Sequence, residues 1–430
     1  MHPRFPAFDY KNPRVLMERL RSELPETHRT ALNLVLEQTT SPLYLVGGIV
    51  RDLLLTRENF DLDFVCLEYA GQVATRLLPT FEATFAPETV NLTIHEAFGT
   101  ATINIGQVVH LDFATARLET YAHPAALPTV HFPASLLEDM QRRDFTINSL
   151  ALSPESGLYD PFKGLEDLQD GWLRVLHPTS FQDDPTRMVR GVRFAARFGY
   201  RFEPETERLL EEALREGYFD LLSAERKRNE LRLILKELRP EKGLALLKHY
   251  GLLSAIHPLL RWDSSQEEAF ARLPANLDYR VQPYQYLAAL LYNSGANYAR
   301  KVLQALRFAG LEADVPLEVA TLWEQVRPQL QFSLKNSQLY DLLHGYRTEA
   351  LRVFEALLTD PAQITLVRRY REELGHRLPV LNGDFLIKLG IPRGPRIGAL
   401  LAELRRATLD GEISGEEEEA AFLRRQSGLE

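Results

Sequence analysis

The chain has 430 residues, 45% of them hydrophobic and 25% charged, with a net charge of −9 and an isoelectric point near 5.8. That length exceeds one ordinary core, so two to four domains are expected. The acidic balance argues against indiscriminate nucleic-acid binding, which needs a broad basic surface, but it leaves room for a local basic stripe.

The opening residues, MHPRFPAFDYKNP, lack the apolar core of a secretory signal. No apolar run approaches a membrane span. The single cysteine, Cys66, excludes an internal disulfide and any cysteine-based zinc site. Together these point to the cytoplasm. Residues 11–38 then carry a helical pattern through Val15, Leu16, Leu20 and Leu24, and again through Ala31, Leu32, Val35 and Leu36. Pro25 divides it into two helices.

Leu43–Val46 is a short apolar run that ends at Gly47 and Gly48, which reads as a buried strand. Helical spacing resumes from Ile49 to Leu55. A strand, a Gly-Gly turn and a helix start form an anion site, because backbone N–H groups and the helix dipole both favour negative charge there. Arg51 is a cation in the first helical turn, where the dipole disfavours it. That placement points to a ligand, and phosphate is expected.

Asp61-Leu62-Asp63-Phe64 alternates acid with apolar residues, so both carboxylates share one strand face. A divalent cation relieves their repulsion, and Mg²⁺ is commonly held by one or two carboxylates together with substrate phosphates. A phosphate cradle beside such a pair implies phosphoryl or nucleotidyl transfer. From Leu43 to about Leu152 the pattern favours strands, notably over 90–98, 99–106 and 108–115. In the last of these, His110 and Asp112 alternate with Val109, Leu111 and Phe113, which places Asp112 to join Asp61 and Asp63.

Residues 116–140 read as a proline-punctuated loop ending in a helix start, with Ser135 and Glu138 spaced as a capping box. Asp183 or Asp184 can cap a long helix after them, with Pro185 in its first turn. Arg187, Arg190, Arg193 and Arg197 lie on one face of that helix at spacings of three and four. Few acids interrupt them, so something anionic is expected against that face. From Glu203 onward the chain reads as helices. Glu416–Glu419 reads as a solvated helix start.

The run GG-x-V-R-D-x-L followed by D-x-D, the stretch Gln141–Leu152 (QRRDFTINSLAL), and Asp183–Tyr200 resemble the class II tRNA nucleotidyltransferase and bacterial poly(A) polymerase family. The resemblance implies an α+β protein. A nucleotidyltransferase head with a mixed β-sheet would be followed by an all-α neck, body and tail. The expected divisions are a helical prelude over 1–40, the head over 41–176, a neck over 177–240, a body over 241–330 and a tail over 331–430. It implies Asp61 and Asp63 as metal-holding acids with Asp112 as the third. Gly47, Gly48 and Arg51 would cradle a triphosphate. Arg143 and Asp144 match contacts to the nucleotide's phosphate and sugar, with Asp144 accepting from a ribose 2′-OH and Asn148 holding the local turn. Asp184 and Arg187 match the pair that reads the incoming base, and Arg190 and Arg193 match phosphate- and template-orienting arginines. Asp183 stands where the family has glutamate, and Ser149 where alanine is usual.

The implied partners are CTP, ATP and the 3′ end of tRNA, with contacts to its acceptor arm and elbow, and the implied cofactor is Mg²⁺. The 381–414 stretch resembles the family's tail unit, whose helix over 395–406, with Arg393 and Arg396, could touch a tRNA backbone. Poly(A) polymerases of the family carry an Arg-Arg-Phe signature after the D-x-D strand, and none stands between Phe64 and Asp112. A non-catalytic RNA-binding protein is the alternative from another class, against which the full set of site residues stands. The stretch Ala114–Met140 occupies the place of a loop that helps relatives change from C to A. It keeps substantial length, has Pro124, Pro128 and Pro133 but no glycine, and resembles members that add A. Addition of the terminal A is therefore expected, with C addition left open.

Overall fold

The computed structural model describes residues 9–277 and 280–428. The first eight residues, part of the stretch read above for a signal, lie outside that range. Contacts divide the chain into two compact units. The first comprises residues up to 230 and 237–255, and the second 231–236 and 256 onward.

In the first unit, α1 (Pro13–Glu23) and α2 (Glu26–Gln38) meet at Pro25, as its break predicts. They lead into β1 (Leu43–Val46), α3 (Gly48–Leu54) and β2 (Leu62–Cys66). The next element is α4 (Ala70–Phe85), a 16-residue helix where a run of strands was expected. Its β-branched residues and internal Pro79 mask the helical signal. Yet Ala70, Val73, Ala74, Leu77 and Phe81 are buried at helical spacing. Strands β3 (Val90–His95), β4 (Thr100–Ile105) and β5 (Val109–Thr115) follow where the alternation predicts them.

The 116–140 stretch is more ordered than the expected loop. It contains an antiparallel pair, β6 (Leu118–Thr120) with β7 (Thr129–His131), before α5 (Leu136–Gln141). Ser135 and Glu138 form the capping box that their spacing predicts. β8 (Ala151–Ser153) and β9 (Gly157–Tyr159) complete a seven-stranded mixed sheet in the order β3-β4-β5-β2-β1-β8-β9. All its pairs are antiparallel except β2 with β5. One face buries Leu62, Phe64, Leu111 and Phe113, with the Phe64 and Phe113 rings stacked at 5.1 Å.

Helices α6 (Gly164–Asp170), α7 (Ser180–Asp183), α8 (Thr186–Phe198), α9 (Pro204–Arg215), α10 (Ala224–Leu235) and α11 (Pro240–His249) follow. The division between units falls inside α10. The cap position of α8 is Pro185, one residue after Asp184, the later of the two expected caps. The middle of α8 presses on an aromatic layer. A Cβ at Gly191 would lie 2.5 Å from the Phe202 ring and 2.8 Å from that of Phe145, so only glycine fits.

The second unit, as described, is helical. Its helix Pro395–Asp410 starts with proline at the first position, as expected, and runs one turn further than the pattern suggested. Arg393 is exposed, and Arg396 donates to the Ser427 carbonyl. The acidic run at 416–419 does begin a helix, but Glu419 is not solvated. It is 1% exposed and accepts from the Val380 and Leu381 amides, a role fixed by chain nearly forty residues away. No helix among the described residues is long and apolar enough to cross a membrane.

Candidate functional site

The head's N-terminal strand delivers the glycine turn. Gly47 has φ 71° and ψ −128°, a backbone that side chains avoid, and it aims α3 away from β1. The Arg143 guanidinium lies 3.5 Å from where a Gly47 side chain would begin. Arg51 follows on α3, with partners of its own. It is buried, donates through Nε and Nη2 to the neighbouring Asp52 carboxylate at 2.9 and 2.8 Å, and through Nη1 to Asn148 Oδ1 at 2.6 Å. The Phe198 ring covers it at 4.9 Å. Its charge is met by the very next residue, and it borders the cleft.

The QRRDF segment is built on a buried acid. Asp139 is fully buried and accepts from Arg142 at 2.7 Å and Arg143 at 3.0 Å, and these arginines hold its carboxyl below the ordinary value against the cost of burial. Arg142 also reaches Glu119 on β6 at 3.0 Å. Asp144 is another hub. Its Oδ1 accepts from the Phe145 amide and from Asn148 Nδ2, and its Oδ2 from Arg190 Nε and Nη2 at 3.0 and 2.8 Å. Arg190, Asn148 and the amide outweigh desolvation and hold this carboxyl low. All four of its acceptor positions are taken, so a ribose hydroxyl would have to displace one of these donors. In this structure Asp144 orients Arg190 and Asn148.

Asp184 leads α8. Its Oδ1 accepts from Thr186 N at 3.0 Å, Thr186 Oγ1 at 2.6 Å and Arg226 Nη2 at 2.6 Å, while Oδ2 has no partner among the described residues. Arg187 is buried and anchored by Ser180 Oγ at 2.6 Å and the Arg142 carbonyl at 2.7 Å. The Nη1 group of Arg226 grips the Ala125 carbonyl of the hairpin loop at 2.8 Å.

These groups wall one cleft of about 470 Å³. Gly47, Gly48, Arg143, Asp184, Arg187 and Arg190 all border it, as do Arg51, Asp144 and Asn148. Arg193 does not. It turns toward Glu237 at 3.8 Å, and the same carboxylate pairs with Arg197. The anion expected against these two arginines is therefore a glutamate from the chain itself, invisible to a reading of α8 alone. Sequence reasoning also missed Glu119, Tyr121, Arg142 and Arg226 on the cleft wall. Asp139 lies three and four residues before Arg142 and Arg143, a helical ion-pair spacing that could have flagged it.

The carboxylates lie on the other side of Arg143. Asp63 stands opposite Asp112 in the parallel β2–β5 register. Leu62 and Phe64 point into the core, as the alternation predicts, and Asp61 precedes the strand. Val65, two residues further on the same face, is buried in a cluster with Val46, Ala116, Met140 and Ala151. Burial first, then the charges of Asp112 and Asp61, push the Asp63 carboxyl up to about 6, with Arg143 opposing. No group of three or more possible metal ligands is gathered closely among the described residues. The pairing that does form is Asp63 with Asp112. An all-oxygen set whose negative charge is costly suits a hard divalent cation. Cys66, at the end of β2, is buried and its thiol pushed up to about 12, an inert core residue.

The family model "Poly A polymerase head domain" matches residues 43–174, and "Probable RNA and SrmB- binding site of polymerase A" matches 199–262. The A-adding tRNA nucleotidyltransferase of Geobacter sulfurreducens is 33% identical over 88% of this chain, and that of Aquifex aeolicus 32% over 85%. The chain spans less than half the length of these two relatives, 44% and 45%. The A-adding tRNA nucleotidyltransferase of Halalkalibacterium halodurans is 31% identical, with 89% of this chain and 88% of the relative covered. Among solved structures, the Thermotoga maritima CCA-adding enzyme complexed with tRNA superposes over 96% of this chain and 98% of its own, at 28% identity and a TM-score of 0.71. A CCA-adding enzyme with ATP gives 0.75 at 29% identity, covering 96% and 98%. With its glycine turn and registered acids on the matched head and an arginine cleft beside them, this chain belongs to the class II tRNA nucleotidyltransferase and bacterial poly(A) polymerase family.

Proposed function

We propose that this protein transfers a nucleotide from a ribonucleoside triphosphate to the 3′ end of tRNA, and that it adds the terminal A to tRNA ending in CC. One observation carries the reading. An arginine-walled cleft fit for a triphosphate and a registered carboxylate pair lie on either side of one residue, Arg143. A transfer at phosphorus needs that adjacency, because anion binding and hydroxyl activation must meet at one atom.

Arg143 and Arg190 hold the phosphates, with Gly47 and Gly48 allowing close backbone approach. Asp184 Oδ2 accepts from the exocyclic amino group of A or C, and Arg187, with three of its five N–H groups engaged by Ser180 and Arg142, offers the other two to the base. U and G present a carbonyl to Asp184, where acceptor faces acceptor. Asp63 and Asp112 would hold Mg²⁺, with Asp61 just ahead of their strand, and the ion when bound lowers the pKa of the attacking hydroxyl and offsets charge on the leaving pyrophosphate. The arginines keep the triphosphate in one orientation while the 3′-OH approaches from the carboxylate side.

Addition of A is favoured because the A-adding and the CCA-adding relatives both carry that step in their names. The hairpin around Ala125, the stretch expected to serve the change from C to A, is present and tied to Asp184 through Arg226. The test is single-turnover incorporation of labelled ATP and CTP on tRNA ending in CC and on tRNA ending at the discriminator base. Joining of ATP to the CC end is expected. CTP joining to the shorter tRNA without any ATP joining to the longer one would make this a CC-adding protein instead.

A further inference from the structure

A second hollow, of about 340 Å³, opens on the carboxylate side of Arg143. Its floor is the face of β4 and β5 that carries Thr100, Thr102 and Asp112, with Asp63 beside them on β2. Thr102 stands opposite Asp112, and Asp112 opposite Asp63. Thr100, two residues before Thr102, shares its face. Thr102 Oγ1 donates to Asp112 Oδ1 at 2.5 Å. Its one proton is thereby committed, and its oxygen remains open as an acceptor. The Thr100 hydroxyl has no partner among the described residues and can donate or accept.

The charge of this hollow separates it from the cleft. Arg143 is its single cationic wall residue, and two carboxylates face it. A phosphate-bearing group is repelled there, while a neutral group rich in hydroxyl donors is welcome. The nucleophile must also approach phosphorus from the side opposite the leaving pyrophosphate, which lies among the arginines of the cleft. A terminal ribose meets both demands, since it carries a vicinal pair of hydroxyls and no phosphate on its 3′ side.

We propose that Thr100 and Thr102 form the subsite that reads the 2′,3′-diol of the acceptor's terminal ribose. The 2′-OH donates to Thr102 Oγ1, Thr100 bonds the same edge of the sugar, and the 3′-OH is thereby turned toward Asp63 and Asp112. The threonines choose an RNA end and set its angle, and they take no part in bond making. This subsite rests on the nucleotidyl-transfer reading given above.

The experiment compares two acceptors, tRNA ending in CC with a terminal ribose and the same tRNA with a terminal 2′-deoxyribose. ATP incorporation is measured as kcat/KM on each. The parent is expected to prefer the ribose end about tenfold, which is what one well-formed hydrogen bond is worth. Thr102→Val should bring that preference close to one, and Thr102→Ser, which keeps the hydroxyl, should restore it. Thr100→Val should reduce it in part. Valine matches threonine in shape and is favoured in strands, so both variants are expected to fold. The KM for ATP, set in the other cavity, should stay within about twofold, the span of an interaction worth under 0.5 kcal/mol. A parent that uses both acceptors equally overturns the proposal. So does a Thr102→Val protein that slows on both acceptors by the same factor, since that marks only a loosened Asp112. Failure of the parent to join ATP or CTP to any tRNA removes the functional reading and the subsite with it.

Discussion

The two sides of Arg143 solve opposite electrostatic problems. In the cleft, cations that would repel one another are each met by an acid or a carbonyl: Arg190 by Asp144, Arg142 by Asp139 and Glu119, Arg51 by Asp52 and Arg226 by Asp184. On the sheet face the acids have far less. Asp112 has Thr102, Asp63 has the field of Arg143, and the Asp63 carboxyl sits near 6 as a result. The cleft is therefore organised before any ligand arrives, while the acidic face stays under repulsion until positive charge arrives. Anion binding needs fixed geometry, and cation binding gains from relieved repulsion.

The largest expected effect comes from removing one of those acids. Asp63→Asn should lower nucleotide incorporation by at least about a thousandfold, the scale on which charge-stabilising groups act, while tRNA binding survives in a filter assay. The same substitution should stabilise the fold when divalent ions are chelated. The sign follows from the raised pKa: the folded state holds the Asp63 proton more tightly than the unfolded chain does. That contribution is complete below pH 4 and is lost as pH rises through about 6. Chelated parent protein should therefore lose up to about 3 kcal/mol between pH 4 and 7 from this group, a loss that Asp63→Asn removes. Urea unfolding across that range measures it. Equal slopes in parent and variant would mean that the acidic face is not under repulsion.

Breaking the other side should do the reverse. Arg190→Ala leaves Asp144 buried without its cation and should cost about 3 kcal/mol, read as a fall in the unfolding midpoint. A fall of only a few tenths would show that the cleft does not depend on its internal ion pairs. A smaller and more selective effect is expected at the base-reading end. Asp184→Ala should weaken rejection of UTP and GTP by roughly tenfold, in line with the loss of one good base contact, with a lesser change in triphosphate binding. The variant's incorporation of all four nucleotides would measure this, and undiminished rejection would remove Asp184 from base reading.

Much of this site was legible because its signals are local. Gly47-Gly48, the alternation of Asp61 to Phe64 and that of Val109 to Phe113 are short patterns, and each falls at the element it predicts, with Asp61 one residue ahead of its strand. What escaped was the identity of each charge's partner. Arg51 resembled a ligand cation until Asp52 folded back on it. Arg193 and Arg197 called for an anion that Glu237 supplies from forty residues away. Arg226 meets Asp184 across 42 residues and could not be assigned to the cleft from its own helix. Helix α4 was hidden for a different reason. Its threonines, valine and proline carry strand and turn preferences that tertiary packing overrides.

The one parallel pair in the sheet has a consequence for how the protein is made. Strands β2 and β5 can lie side by side only after the chain between them has completed a full crossover through α4, β3 and β4. β5 must then enter between β4 and β2 as an interior strand. Asp63 and Asp112 thus meet when that strand docks, one of the longer-range closures in the head. Until then each carboxylate remains hydrated and apart from the other. A chain emerging from the ribosome bears the cost of the acid pair only at the step that buries Leu111 and Phe113, so the core that β5 completes and the charge conflict it creates arrive together.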